Sequence, residues 1–404
     1  MTIPHPPGPA PARTGPPASI TKAERSLAPD IARGGMLLFI AIANVAIYVH
    51  GSGMDSYGHF TDSTRADHIA LFLEQLLAAE RSRPMFAILY GFGIAVMASR
   101  MFARGMDPKG VRKVLRRRSW WLILFGLVHA VLLFFGDVLA PYGATGLIAL
   151  GFVHLSDKAL RRWLIGSAAV VVFVSLPLFA YAYSGLNSGA AGDTAGLSDY
   201  ASQMAFGVFA SLTTTVLFTV LALFVPLVIV GMALQRSGWI DHPEEHLPAL
   251  RKVFVSGMVV NLVSALPVSL VGLGVWEPPT VLFVSSLYLT LVGGMYAGLG
   301  YICGFALLAH RWRAKGRRGL PGALAAVGER SLTSYLLQSV IMAPLLSAWG
   351  LGVGAHVGYL GAYGVAFGTW AVTVAAAVLM DRAGRRGPFE VALRRLTYGP
   401  KPSA

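Results

Sequence analysis

Ten apolar runs dominate this chain, near residues 34–50, 84–99, 119–136, 138–156, 163–183, 205–235, 253–275, 279–309, 322–347 and 358–380. Segments of about 20 apolar residues cross the hydrocarbon core of a bilayer as helices. No water is present there to satisfy backbone N–H and C=O groups, so a spanning segment must be a helix or part of a closed barrel. The runs are continuous and lack the alternation of barrel strands. The sequence therefore predicts an all-α fold, a polytopic integral membrane bundle of about ten transmembrane helices.

Composition excludes the soluble alternatives. Only 13% of the 404 residues are charged, against roughly 25% in a soluble domain, too few to cover a solvated surface. The excess of 33 Lys and Arg over 19 Asp and Glu could suit a nucleic-acid partner, but its placement argues for a bilayer. Of the 33 basic residues, 30 fall in every second segment: 1–33, 100–118, 157–162, 235–252, 310–318, Arg330 and the C-terminal tail. Arg65, Arg81 and Arg83 are left for the other side. The positive-inside rule then puts both termini in the cytoplasm, with membrane lipids as partners and no nucleic acid. The single cysteine, Cys303, sits inside an apolar run, which removes disulfides and cysteine-based metal sites.

Residues 1–28, rich in Pro and Gly, read as a disordered cytoplasmic tail without the apolar core or cleavage site of a signal peptide. Residues 29–400 read as one transmembrane helical domain. The run 205–235 would make a helix of about 46 Å, so tilt or an extension beyond the membrane is expected. Within 66–83, Ile69, Phe72, Leu73, Leu76 and Leu77 share one face. That spacing suits a helix lying on the outer surface or in a vestibule before Pro84 opens the second span. The Gly/Ser/Ala-rich segment 184–202 reads as a solvated loop or a mobile lid.

Polar groups at membrane depth mark the candidate chemistry. A charge at the centre of a span costs about 2.5–3.5 kcal/mol on insertion scales, so such residues usually face an interior or a pathway. His129 lies about ten residues into the third span, near mid-bilayer. The following hairpin, FFGDVLAPYG, holds Asp137 and Tyr142 close to the outer interface. Helical rise separates His129 from Asp137 by roughly 12 Å, which predicts a shared cavity rather than a direct bond. His129 suits either proton transfer or a neutral imidazole bonded to a neighbouring helix. Ser331, Ser334, Tyr335 and Gln338 recur at i, i+3, i+4 and i+7, one polar stripe along an apolar helix, either interhelical glue or the lining of a site. The first span carries Asp30 and Arg33, spaced to pair, with Asn44 deep inside and His50 at its outer end. Arg83, one of the three outer arginines, joins the candidate binding residues.

Other motifs have simpler readings. HPEEH at 242–246 matches a zinc-hydrolase pattern, yet Pro243 and Pro248 leave little room for the helix it needs, and it reads as a solvated acidic loop; no metal site is expected. GGMYAGLGYICG at 293–304 places Gly294 and Gly298, then Gly300 and Gly304, four apart, as helices in close contact require. The basic segment 100–118 could hold the phosphates of a donor such as coenzyme A, though positive-inside placement and anionic lipids call for the same residues.

Several spaced segments, APDIARG…AN, RSRPMFAILYGFG, GLVHAVLLFFGDVLAPYGATGL, GERSLTSYLLQS and GPFEVALRRLTYGP, together resemble the YeiB-like bacterial membrane family, known as domain of unknown function 418, over about residues 28–400. The resemblance implies a multi-pass protein of the bacterial inner membrane. More distantly, the chain is similar to transmembrane acyltransferases of the acyltransferase-3 and heparan-glucosaminide acetyltransferase groups. Those move an acyl group from a cytoplasmic thioester to an acceptor across the membrane. Arg33-Gly34 and Gly328, Ser331, Tyr335 and Leu336 match the acyltransferase-3 pattern, but Asn44 and Gln338 stand where its histidines would be. Neither amide takes a proton at neutral pH, so the base would have to be His129, or His50 at the outer rim.

The resemblance thus implies His129 as base and Asp137 as its aid or the acceptor's ligand. Arg33 would hold the donor, while Ser331, Tyr335 and Gln338 line the channel. No permanently bound cofactor is implied, only acyl-CoA as donor and an extracytoplasmic small molecule, sugar or lipid as acceptor. A transporter or exporter using the same polar residues is the alternative, and a membrane scaffold is a third.

Overall fold

The computed structural model describes residues 27–185 and 197–399. Most of the 1–28 tail and residues 186–196 of the outer segment lie outside the described residues. Fifteen α-helices follow in order: α1 (Ala28–Val45), α2 (Arg65–Leu77), α3 (Ser82–Ala103), α4 (Pro108–Leu132), α5 (Leu139–Ala149), α6 (Asp157–Val170), α7 (Leu176–Gly185), α8 (Tyr200–Val220), α9 (Val225–Ser237), α10 (Leu247–Gly272), α11 (Thr280–Arg311), α12 (Gly319–Glu329), α13 (Ser331–Leu346), α14 (Tyr359–Arg382) and α15 (Pro388–Tyr398). They form a helical membrane bundle. Its outer surface is apolar, with Phe173, Val220 and Val281 about three-quarters exposed, whereas Asn261, Thr290 and Thr373 are buried. Lipid is the solvent that accepts such an arrangement.

Seven stretches among the described residues are long and apolar enough to cross a membrane. The three other expected crossings are part-charged, short or divided. α4 is basic in its first half, α5 has 11 residues, and the run 322–347 breaks at Arg330 between α12 and α13. The overlong run 205–235 resolves its length by breaking, rather than by tilt or extension alone. α8 ends at Val220, Ala222 adopts a left-handed φ of 52°, and Pro226 opens α9.

Contacts sort the loops into two ends. At the basic end Arg236 meets Asp157, Arg313 meets Glu244, and Arg317 and Arg330 meet Glu329 and Asp381. At the other end the Tyr57 hydroxyl donates to Pro278 O, and the Leu360 N–H to Asp67. α2 lies at this second end with Ile69, Leu73 and Leu77 nearly half-exposed and Asp67 and Leu71 buried, so its apolar stripe faces outward.

Small residues set the closest helix contacts. A Cβ on Gly257 of α10 would come within 2.8 Å of the Gly300 Cα in α11, which makes the glycine-rich segment a packing surface. Gly91 of α3 and Gly231 of α9 interlock likewise, each facing a backbone carbonyl of the other helix.

Candidate functional site

The hairpin between α4 and α5 assembles the most compact group of candidate residues. α4 stops at Leu132, and both Leu133 and Phe134 donate their N–H to the His129 carbonyl. The turn through Gly136 then brings Asp137 back against the helix end. His129 Nδ1 lies 2.8 Å from Asp137 Oδ1, a direct bond where helical rise had predicted none. The 12 Å separation assumed that the helix continued to 136; its early end and the reversal of the chain remove it.

Three donors converge on Asp137. Besides His129, the Tyr335 hydroxyl donates to Oδ1 at 3.2 Å and the Ala140 N–H to Oδ2 at 3.0 Å. The last of these satisfies one of the N–H groups left over in the first turn of α5. With the carboxylate as acceptor, Nδ1 is the donor of this pair, and whenever the ring is in its neutral form Nε2 presents a lone pair. Nε2 is buried and has no hydrogen-bond partner among the described residues. The rings of Tyr335 and Phe134 flank the imidazole at 5.1 and 6.2 Å between centroids. His129, Asp137 and Tyr335 are each at most 3% exposed.

The polar stripe of α13 turns inward as a unit, with Ser334, Tyr335 and Gln338 buried. Gln338 Nε2 donates to Leu37 O at 3.0 Å, while its Oε1 has no hydrogen-bond partner among the described residues. The start of α13 lacks a capping side chain of its own. Glu390 of α15 supplies one, accepting from the Leu332 and Thr333 N–H groups at 2.8 and 3.1 Å and from the Thr333 hydroxyl. An anion at a helix N-terminus is favoured there by the dipole and the free donors.

A cavity of about 320 Å³ adjoins this helix start. Asp30, Arg33, Tyr142 and Ser331 line it, together with Arg100 and Arg118 from the ends of the basic segment. Arg33 pairs with Asp30 at 3.4 Å, as their spacing predicts, and donates to Leu89 O at 3.3 Å. Glu329, engaged with Arg317 at 2.9 Å, and the capping Glu390 complete its acidic lining with Asp241. The apolar wall reaches Leu122 and Leu139 but not His129. Seven residues of α4, about 10 Å, separate Leu122 from His129.

The candidate residues thus fall into two groups joined by α4 and α13. His129, Asp137 and Tyr335 form one, with Gln338 a turn further on. Asp30, Arg33, Ser331 and Tyr142 line the other. Tyr142 stacks on Phe86 at 5.0 Å and donates to Arg83 O; the Arg83 side chain pairs with Glu80. His50 is buried against Tyr48 O at 3.1 Å, and Asn44 is half-buried and lines no part of this cavity. Sequence reasoning assigned no role to Glu390, Glu329 or Asp241, because their distance along the chain hides their meeting. Glu390 lies in the conspicuous GPFEVALRRLTYGP segment, the one signal that could have drawn notice.

Comparison with known proteins adds a family. The family described as "Protein of unknown function (DUF418)" matches residues 234–400. The chain is 24% identical over 400 residues to the "Uncharacterized protein YxaH" of Bacillus subtilis (strain 168), covering 91% of this chain and 93% of the relative. It is 26% identical over 399 residues to the "Uncharacterized protein YeiB" of Escherichia coli (strain K12), covering 93% and 96%. The similarity spans the hairpin of His129 and Asp137 as well as the C-terminal half.

Proposed function

Because the chain belongs to the YeiB-like DUF418 family of membrane proteins, we propose that it works in the bacterial cytoplasmic membrane as a transmembrane acyltransferase. The buried His129–Asp137 pair with its free Nε2 carries this reading. An imidazole held by a carboxylate at Nδ1 and open at Nε2 is the arrangement of a general base. The acceptor's hydroxyl or amine gives its proton to Nε2 as its oxygen or nitrogen attacks the thioester carbonyl carbon of an acyl-CoA. The carbon–sulfur bond then breaks, and the departing thiolate takes the proton back from the imidazolium. Asp137 offsets the transient positive charge, and Tyr335 fixes the carboxylate that does so. With Asn44 and Gln338 unable to act as bases, this role falls to His129.

The donor enters from the basic face, where Arg33, Arg100 and Arg118 border the cavity. Its acyl end must pass the floor at Leu122, Leu139 and Tyr142, so transfer requires that floor to open. The closed floor favours the second reading, an occluded transporter in which His129 and Asp137 carry protons. Cells lacking the protein, complemented with wild type or with His129→Gln, separate the two when the acyl content of the envelope is measured by mass spectrometry. Loss of one acylated species in the variant as in the deletion supports transfer. Unchanged acylation with altered uptake or export of a small molecule sinks it.

A further inference from the structure

A second cavity, of about 540 Å³, opens on the same basic face. It shares Val96, Arg100 and Asp241 with the first, so the two are adjoining compartments of one cleft. Their linings differ. The inner compartment is walled by Met36, Phe86, Leu122 and Leu139, the outer by Arg100, Arg313, His242 and His310 together with Asp241 and Glu244. We propose that the outer compartment seats the phosphate-bearing head of a nucleotide thioester while the inner one takes its flexible arm. This deepens the acyltransferase reading and rests on it.

Arg313 is largely exposed and only loosely paired with Glu244, at 3.7 Å, so its planar fork is free to turn onto a phosphate. His310 Nδ1 is buried without a hydrogen-bond partner among the described residues and can donate when protonated. Two carboxylates oppose an anion here. Glu244 is part-exposed, so solvent screens its charge once Arg313 turns away, and burial raises the Asp241 carboxyl above its ordinary range, which weakens its share of the repulsion. The arm needs no charge. The charged groups of the inner compartment, Arg33, Arg100 and Arg118 with Asp30, Asp241, Glu329 and Glu390, stand beside an apolar wall of Met36, Phe86, Leu122 and Leu139 along which it can lie.

The division is tested on the purified full-length protein in nanodiscs, by thermal unfolding with coenzyme A, adenosine 3′,5′-bisphosphate and pantetheine. Ligands that bind only the folded state raise its stability. Coenzyme A is expected to stabilise the wild type more than either fragment. Arg313→Ala, at an exposed position, should weaken coenzyme A about tenfold and the bisphosphate likewise, leaving pantetheine unchanged. Gly93→Leu, whose side chain would project into the inner compartment beside Arg33, should do the reverse; Met97→Phe on the same wall serves if that variant does not fold. Stabilisation by coenzyme A that Arg313→Ala and His310→Ala leave intact overturns the head site and spares the acyltransferase reading. Absence of any effect of coenzyme A on the wild type removes both, and stabilisation by phosphatidate in its place assigns the cleft to a lipid.

Discussion

Two buried polar clusters stand toward the same end of this bundle, and they are built for different work. One joins His129, Asp137 and Tyr335. The other surrounds Arg81, which is fully buried and sits where α2 gives way to α3. A helix end leaves four carbonyls without partners, and at α2 each finds one. Gln75 O accepts from Arg81, Leu76 O from Asn261, Leu77 O from the Tyr301 hydroxyl, and Glu74 O from the Ala78 and Ala79 N–H groups. Arg81 also donates to Ala79 O and Asn261, around Glu80 at a left-handed φ of 58°. Its charge at a helix C-terminus is favoured by the dipole. The Arg81 cluster therefore finishes backbone structure. The His129 cluster is made largely of side chains, and α4 and α13 complete their helices without it. Both clusters hold an atom without a hydrogen-bond partner among the described residues, Arg81 Nη2 and His129 Nε2. A guanidinium cannot release its proton near neutral pH, whereas an imidazole exchanges one readily. The partners of a buried polar group, and what its spare atom can do, separate scaffold from site.

That contrast is open to direct attack. Arg81→Met should be the most damaging substitution for folding, costing about 3–5 kcal/mol because buried carbonyls and Asn261 lose their donor. Thermal unfolding in detergent reads this, and a near-native melting temperature would break the comparison from the structural side. His129→Gln should lower turnover about 10²-fold or more while changing stability by no more than about 1 kcal/mol, since the amide still donates to Asp137. A loss of stability equal to that of Arg81→Met would make the two clusters alike. Tyr335→Phe removes one of three donors from Asp137 and should cost about 1 kcal/mol; the measurement is a melting curve beside an acylation rate, which should fall less than for His129→Gln.

The smallest effect lies in the outer loop. Burial pushes the Asp55 carboxyl up, but hydrogen bonds and charge from His59, with the Tyr57 N–H, outweigh it and hold the group below its ordinary range. A depressed carboxylate adds stability that is complete above about pH 3.9, the unfolded value, and is lost as the pH falls below it. Solvent screens this partly exposed pair, so Asp55→Asn should cost under about 1 kcal/mol at pH 7 and less at about pH 3, below the unfolded value, where protonation has begun to remove the contribution. Equal costs at both values would show that the loop is held by other contacts.

The division of the bundle into two ends was legible because it rests on quantities that add along the chain. Apolar run length and loop charge are local, and transfer to lipid sums them with little regard for neighbours. The Asp30–Arg33 pair and the inward stripe of α13 were legible for the same reason, since each follows from the period of one helix. What depended on where a helix stops was not. The run containing His129 is apolar through 136, and only the packed structure ends α4 at Leu132 and returns Asp137 to it. The break at Arg330 is similarly decided by acceptors 51 and 55 residues away, at Asp381 and Arg385 O. So is the cap on α13, which comes from Glu390. Membrane partition reads each residue by itself, whereas a hydrogen bond needs two groups at one place, and in these instances the tertiary fold alone brings them there.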